Sequence, residues 1–207
     1  MKVVMHALAR KAGLRVFRFF SRRGRAAAVE PGPIRVGPMS EAQLGALCAD
    51  PAFDLTPAKL EVARERGDVC VGAFDGDKVA ACCWIAFAPL HHLDGVWVAF
   101  GPHSAWIYKS LVLPAYRGQR IAGMIYGAAG AIGAEKGRPQ SLLCIESHNT
   151  ASIRATASAG YGDAGYAAYV RRGARLASWV SPAAREHGVR FFDPAQPGGA
   201  RQDRVFQ

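Results

Sequence analysis

Residues 111–127 read LVLPAYRGQRIAGMIYG. The apolar run Trp106–Pro114 has the character of a strand. From about Gln119 to Lys136, Ile121, Met124, Ile125, Ala128 and Ile132 keep helical spacing. Arg117, Gly118 and Arg120 stand between the two. A helix N-terminus has unpaired N–H groups and the positive end of its dipole, so it attracts anions. Gly118 lacks a Cβ and lets a phosphate approach the backbone, while the arginines add charge that pairs with phosphate oxygens. Ala122 is small and leaves room in the first turn. The stretch reads as a pyrophosphate cradle, against the alternative of an ordinary strand–turn–helix with solvated arginines.

Working outward, Ile34–Val36 reads as a short strand. Ser40 with Gln43 has the form of a capping box that opens a helix through about Ala49. Thr56-Pro57 supplies an N-cap and a first-turn proline for a second helix, to about Arg66. Val69–Phe74 and Val79–Phe87 are rich in strand formers, with Asp75-Gly76-Asp77 as a hairpin turn. Gly95–Phe100 and Ala105–Leu113 are two further expected strands. Past the central helix, Gly137 caps its end and Ser141–Ile145 forms a short strand. Asn149 opens a helix that stops at Gly160, and Gly165–Arg171, Arg175–Val180 and Val189–Phe192 read as strands. This order predicts a mixed sheet with helices on its faces.

The chain has 207 residues and half of them are hydrophobic, enough for one sizeable core. No apolar run reaches the length of about 18 residues that spans a bilayer. Its five cysteines, Cys48, Cys70, Cys82, Cys83 and Cys144, are odd in number and irregular in spacing, which favours reduced thiols in a cytoplasmic protein. His91-His92 lacks the further ligands of a metal site and reads as loop, so no metal is expected. The net charge is +10, and residues 1–29 hold eight basic residues and no acid. The body is therefore nearly balanced, and nucleic acid is not an expected partner.

The segment Leu111–Ala122 resembles motif A of the GNAT superfamily of acyl-CoA-dependent N-acyltransferases, with Arg120 where that motif usually has glycine. Asn149-Thr-Ala-Ser152-Ile153 followed by Ala159-Gly160-Tyr161 is similar to motif B of the same family. The resemblance covers roughly residues 34–180. It implies a GNAT-like α/β fold with a centrally splayed sheet, the acyltransferase domain occupying 34–193. It also implies acetyl-CoA or another acyl-CoA as co-substrate and a small-molecule or peptide amine as acceptor. The pyrophosphate would lie on Arg117, Gly118, Gln119, Arg120, Ile121 and Ala122. The pantetheine arm would lie along Leu111, Val112 and Leu113, with Asn149 and Ser152 within reach. The family's usual tyrosine acid falls at Thr156, a poor proton donor. A non-catalytic acyl-CoA-binding regulatory module is the alternative function.

For a base that takes a proton from the acceptor amine, Glu146 is the candidate; a structural carboxylate is its other reading. Tyr108, Ser110 and His148 are candidates for the acceptor pocket, and Cys144 is a weak candidate nucleophile. At the N-terminus, residues 14–23 place Val16, Phe17, Phe19 and Phe20 on one side of an expected helix and Arg15, Arg18 and Arg22 on the other. Three readings stand for this basic amphipathic helical extension. It docks residues 1–25 peripherally on an anionic membrane, it packs its phenylalanines on the body, or it is a targeting segment. Residues 1–33 are taken as this extension and a linker. The Gly- and Pro-rich residues 194–207 are expected to be a disordered tail.

Overall fold

The structure, a computed structural model, describes residues 13–24 and 33–195. Its helices start where short polar side chains satisfy free backbone N–H groups. Ser40 Oγ accepts from the Gln43 N–H while Gln43 Oε1 accepts from the Ser40 N–H, opening α1 (Glu41–Ala49). Thr56 caps α2 (Pro57–Glu65) by accepting from the Lys59 N–H, with Pro57 in the first turn. Asn149 Oδ1 accepts from the Ser152 N–H at 3.1 Å and opens α4 (Thr150–Ser158). The exception is α3 (Ile121–Glu135), whose N-cap residue Arg120 makes no side-chain cap.

The strands are β1 (Leu14–Arg23), β2 (Ile34–Pro38), β3 (Val69–Asp75), β4 (Lys78–Ala86), β5 (Leu90–His91), β6 (Trp97–Ala99), β7 (Ser104–Val112), β8 (Gln140–Glu146), β9 (Gly162–Arg172), β10 (Arg175–Val180) and β11 (Arg190–Phe192). A last short helix, α5, spans Pro182–Glu186. Eight strands form one sheet in the order β10-β9-β1-β8-β7-β4-β3-β2. All its pairings are antiparallel except β7 with β8, which are parallel and paired only from Ser104–Trp106 to Gln140–Leu142. A small sheet, β11-β6-β5, takes His91 out of the expected loop.

Both faces of the large sheet are covered. On one, α3 lays Ile121, Ile125 and Ala129 against Val71, Ile85, Ile107 and Leu143. On the other, the small sheet contributes Val98 and Phe191 to a core with Phe17, Phe19, Trp106, Leu142 and Tyr169. Over β3 and β4 on that second face, α1 and α2 pack Leu44, Leu47 and Leu60 onto Cys70, Cys82 and Trp84.

The expected N-terminal helix over 14–23 is a strand, and it lies inside the large sheet between β8 and β9. Alternation explains the burial that the helical reading misassigned. Phe17 and Phe19 share one face and enter the core beneath the small sheet. Phe20, on the opposite face by the same alternation, enters the core beneath α3, and Val16 is exposed. Aromatic and β-branched residues suit a strand buried on two faces. The arginines do not form a free basic face. Arg15 pairs with Asp94 and Glu146, Arg18 with Asp163, and Arg22 donates to the Ala159 carbonyl. The amphipathic helical face expected on residues 14–23 is therefore not formed, and β1 completes the same sheet as the strands that follow residue 33. Residues 1–12, the linker 25–32 and the tail 196–207 lie outside the described residues.

Candidate functional site

Below Trp106, β7 leaves β8. From Ser110 to Leu113 it is partly open, held on its other side by β4 through Cys82–Leu111 and Ala81–Val112. Lys109 has a left-handed φ of 47° and sits where the β4–β7 register shifts. The extra residue turns Tyr108 and Ser110 to opposite faces, as a bulge does. Tyr108 faces α2, where its hydroxyl donates to Asp68 Oδ2 at 2.5 Å and accepts from Arg66 Nη2 at 3.1 Å. Burial and the Asp68 carboxylate push that phenol well above its usual range. Ser110 faces α3. The two acceptor-pocket candidates on this strand are therefore not in one pocket.

The gap leads to the turn before α3. Gly118 has φ of +81°, a region that favours glycine, and a Cβ added there would meet no atom within 4 Å. Arg120 is also left-handed, at φ 59°. Arg117 Nε donates to the Val112 carbonyl at 3.3 Å, and Gln119 Nε2 to the Ala115 carbonyl at 3.4 Å. The Arg117, Gly118, Gln119 and Arg120 positions are exposed around the uncapped helix end. This arrangement fits a pyrophosphate: empty space above the backbone, free N–H groups, and two cations. Ile121 contributes only its backbone, because its side chain is buried in the core, while Ala122 is half-buried at the helix surface. Asn149 and the Ser152 N–H are bonded to each other as the cap of α4.

Glu146 ends β8 on the face opposite α3, the face of Cys144. Its Oε1 accepts from Arg15 Nη1 at 2.9 Å, and its Oε2 lies 3.6 Å from His148 Nε2. Arg15 also binds Asp94 through two nitrogens, at 2.8 and 3.1 Å. Sequence reasoning missed Arg15, because nothing local ties it to a carboxylate 131 positions away. Cys144 Sγ is 3.9 Å from His92 Nε2. Burial pushes the Cys144 thiol far up, which keeps it protonated near neutrality. Burial, reinforced by His91, lowers His92 to about 4, so its imidazole is neutral near pH 7. Thr156 is fully buried on α4.

The α/β sheet parts between two parallel strands, and an open cationic helix end lies beyond the parting. The chain belongs to the acetyltransferase (GNAT) family, whose profile matches residues 41–161. A GNAT-family acetyltransferase from Novosphingobium aromaticivorans superposes with a TM-score of 0.54 at 15% identity, over 75% of this chain and 62% of that one. A GNAT-family acetyltransferase from Colwellia psychrerythraea gives 0.53 at 19% identity, over 86% and 61%. The AAC(6')-Iy protein, solved with the bisubstrate analogue CoA-S-monomethyl-acetylneamine, gives 0.51 at 16% identity, over 62% and 90%. The chain thus spans about three-fifths of the first two relatives. At these identities the likeness establishes the fold. No curated protein matches the sequence. Family profile and fold agree that this is a GNAT-family chain.

Proposed function

We propose that this protein transfers an acetyl group from acetyl-CoA to a primary amine by direct attack on the thioester. The observation that carries the reading is the open, uncapped N-terminus of α3 at the end of the β7–β8 gap, ringed by Arg117, Gly118 and Arg120. The pyrophosphate binds this turn and the pantetheine arm runs along Leu111–Leu113 towards the parting of the strands. The acceptor amine arrives on the opposite face, where Glu146 takes its proton. Arg15 occupies Oε1 and holds the carboxylate in place, leaving Oε2 beside His148 for proton transfer.

Gly118→Val tests the cradle. Valine strains the left-handed backbone and fills the space the phosphate requires. Calorimetry should show coenzyme A affinity weakened at least tenfold, about 1.4 kcal/mol. Unchanged affinity in a folded variant rejects this site. The second reading is a module that binds acyl-CoA without turnover. It is favoured by Thr156, whose hydroxyl is buried and has no hydrogen-bond partner among the described residues. Tight acetyl-CoA binding with no thiol release on any of a panel of polyamines, aminoglycosides, amino sugars and lysine peptides would select it.

A further inference from the structure

Asp94 stands in the loop between β5 and β6 with a left-handed backbone, at φ 55°. Outside glycine such a backbone is uncommon, and aspartate and asparagine tolerate it best. The loop around it is tied down. The His92 N–H donates to the Val96 carbonyl at 2.8 Å, and the Val96 N–H to the Leu93 carbonyl at 2.9 Å. The Tyr169 hydroxyl also donates to the Leu93 carbonyl, at 3.4 Å, and the His92 ring packs edge-on against Phe17, with centroids 4.8 Å apart. Strained backbone that its surroundings hold in place clusters at functional sites.

The loop aims the Asp94 carboxylate at Arg15. Oδ2 accepts from Arg15 Nε at 2.8 Å and Oδ1 from Nη2 at 3.1 Å, a bidentate fork. The third nitrogen, Nη1, donates to Glu146 Oε1 at 2.9 Å. A guanidinium is planar. Once Nε and Nη2 are fixed on Asp94, the direction of Nη1 is fixed too, and with it the oxygen of Glu146 that it holds. Without Asp94 the guanidinium can turn about its one remaining carboxylate contact. The Arg15 side chain is 15% exposed, so these pairs are screened less than pairs wholly on the surface. The three residues come from β1, the β5–β6 loop and β8, and Arg15 lies outside the stretch 41–161 that the family profile matches.

We propose that Asp94 is a positioning residue for the base. Acting through Arg15, it holds Glu146 so that Oε2, 3.6 Å from His148 Nε2, receives the acceptor's proton. The inference rests on the acyl-transfer reading above, with Glu146 as its base. In the step it serves, an N–H bond of the acceptor ammonium breaks, Oε2 gains the proton, and the neutral amine bonds to the thioester carbon. Asp94 takes no part in that transfer. It also offsets the charge of Arg15, so the formal charges of the three groups together remain negative, as suits a site that receives a cation.

A double-mutant cycle on turnover tests this, because a residue that acts only through Glu146 has nothing to act on once the base is gone. Asp94→Asn is the informative change. Asparagine also tolerates the left-handed backbone, but it loses the charge and one of the two acceptor oxygens. Thiol release is followed with acetyl-CoA and whichever member of the acceptor panel above reacts fastest. Asp94→Asn should lower kcat about tenfold and leave the KM for acetyl-CoA within about twofold of the parent's. In a Glu146→Gln background the same change should cost less than about twofold. A loss that persists in full in that background overturns the proposal, because it shows Asp94 acting on the fold and not on the base. A kcat equal to the parent's in Asp94→Asn also overturns it, as does a loss confined to the KM for acetyl-CoA. All three results leave the acyltransferase reading standing. If Glu146→Gln turns over like the parent, the base lies elsewhere and the proposal falls with it. No thiol release with any panel member, despite tight acetyl-CoA binding, removes the acyl-transfer reading and the proposal together.

Discussion

Phe19→Ala separates a strand inside the sheet from a helix on its surface. Phe19 is fully buried, with Trp106 at 5.8 Å and Phe191 at 6.3 Å between ring centroids, and it faces Cys144 across β8 and Gly165 across β9. Removing a buried phenylalanine side chain costs about 3–5 kcal/mol. The two aromatic contacts, each worth about 0.5–1.5 kcal/mol beyond area, put this one towards the top of that range. Small domains lose about 1–3 kcal/mol of stability per molar urea, so the unfolding midpoint should fall by roughly 2 M. Val16, three residues away and 38% exposed, should cost only about 0.5 kcal/mol when changed to alanine. In a surface helix the two positions share one stripe and the costs would be similar. Urea melts followed by tryptophan fluorescence measure both. Phe19→Leu provides a milder loss, still larger than that of Val16→Ala, if the alanine variant does not fold. Equal and small losses at positions 16 and 19 would remove β1 from the sheet.

The remaining predictions concern charge. Glu146→Gln should keep acetyl-CoA affinity and lose roughly 10²–10⁴ in turnover at neutral pH, with part of the activity returning as pH rises and free amine accumulates; turnover equal to the parent at every pH would place the base elsewhere. For His92, the folded value of about 4 lies below the ordinary 6.5, so between these pH values the unfolded chain binds a proton that the folded chain refuses. Stability from this group is complete above about pH 6.5 and falls towards pH 4, by at most about 3 kcal/mol. His92→Leu should flatten that part of the stability profile in urea melts, and a parent and variant with parallel profiles over this window would refute the assignment.

What the sequence disclosed follows the range of the interactions involved. Ser40 with Gln43, Thr56 with Pro57 and Asn149 with Ser152 act within four residues, so their helices were legible. The turn at Gly118 and Arg120 was legible for the same reason, although helix α3 begins at Ile121 rather than Gln119. Residues 14–23 satisfied a helical template through the spacing of Arg15, Arg18 and Arg22. What decides their state is that β8 and β9 each offer an edge for them to pair with, a fact spread over residues 140–172. Glu146 was recognisable as a carboxylate at a strand end, whereas its partner Arg15 was not. Ser110 and Tyr108, two apart on an expected strand, share a face in the sequence pattern, and only the bulge at Lys109 parts them.

A ribosome makes this protein from its first residue, and that order works against β1. Both of its neighbours are synthesised more than a hundred residues later, since β8 begins at Gln140 and β9 ends at Arg172. Until then Phe17, Phe19 and Phe20 are without the surroundings that bury them, and the nascent chain carries an exposed aromatic strand. When β8 and β9 do emerge, each has an open edge that can accept a strand from any chain. Pairings of such long sequence separation close slowly. The slot between β8 and β9 thus depends on pairings more than a hundred residues apart, and it is an opening that a neighbouring molecule's first strand could fill in place of the protein's own.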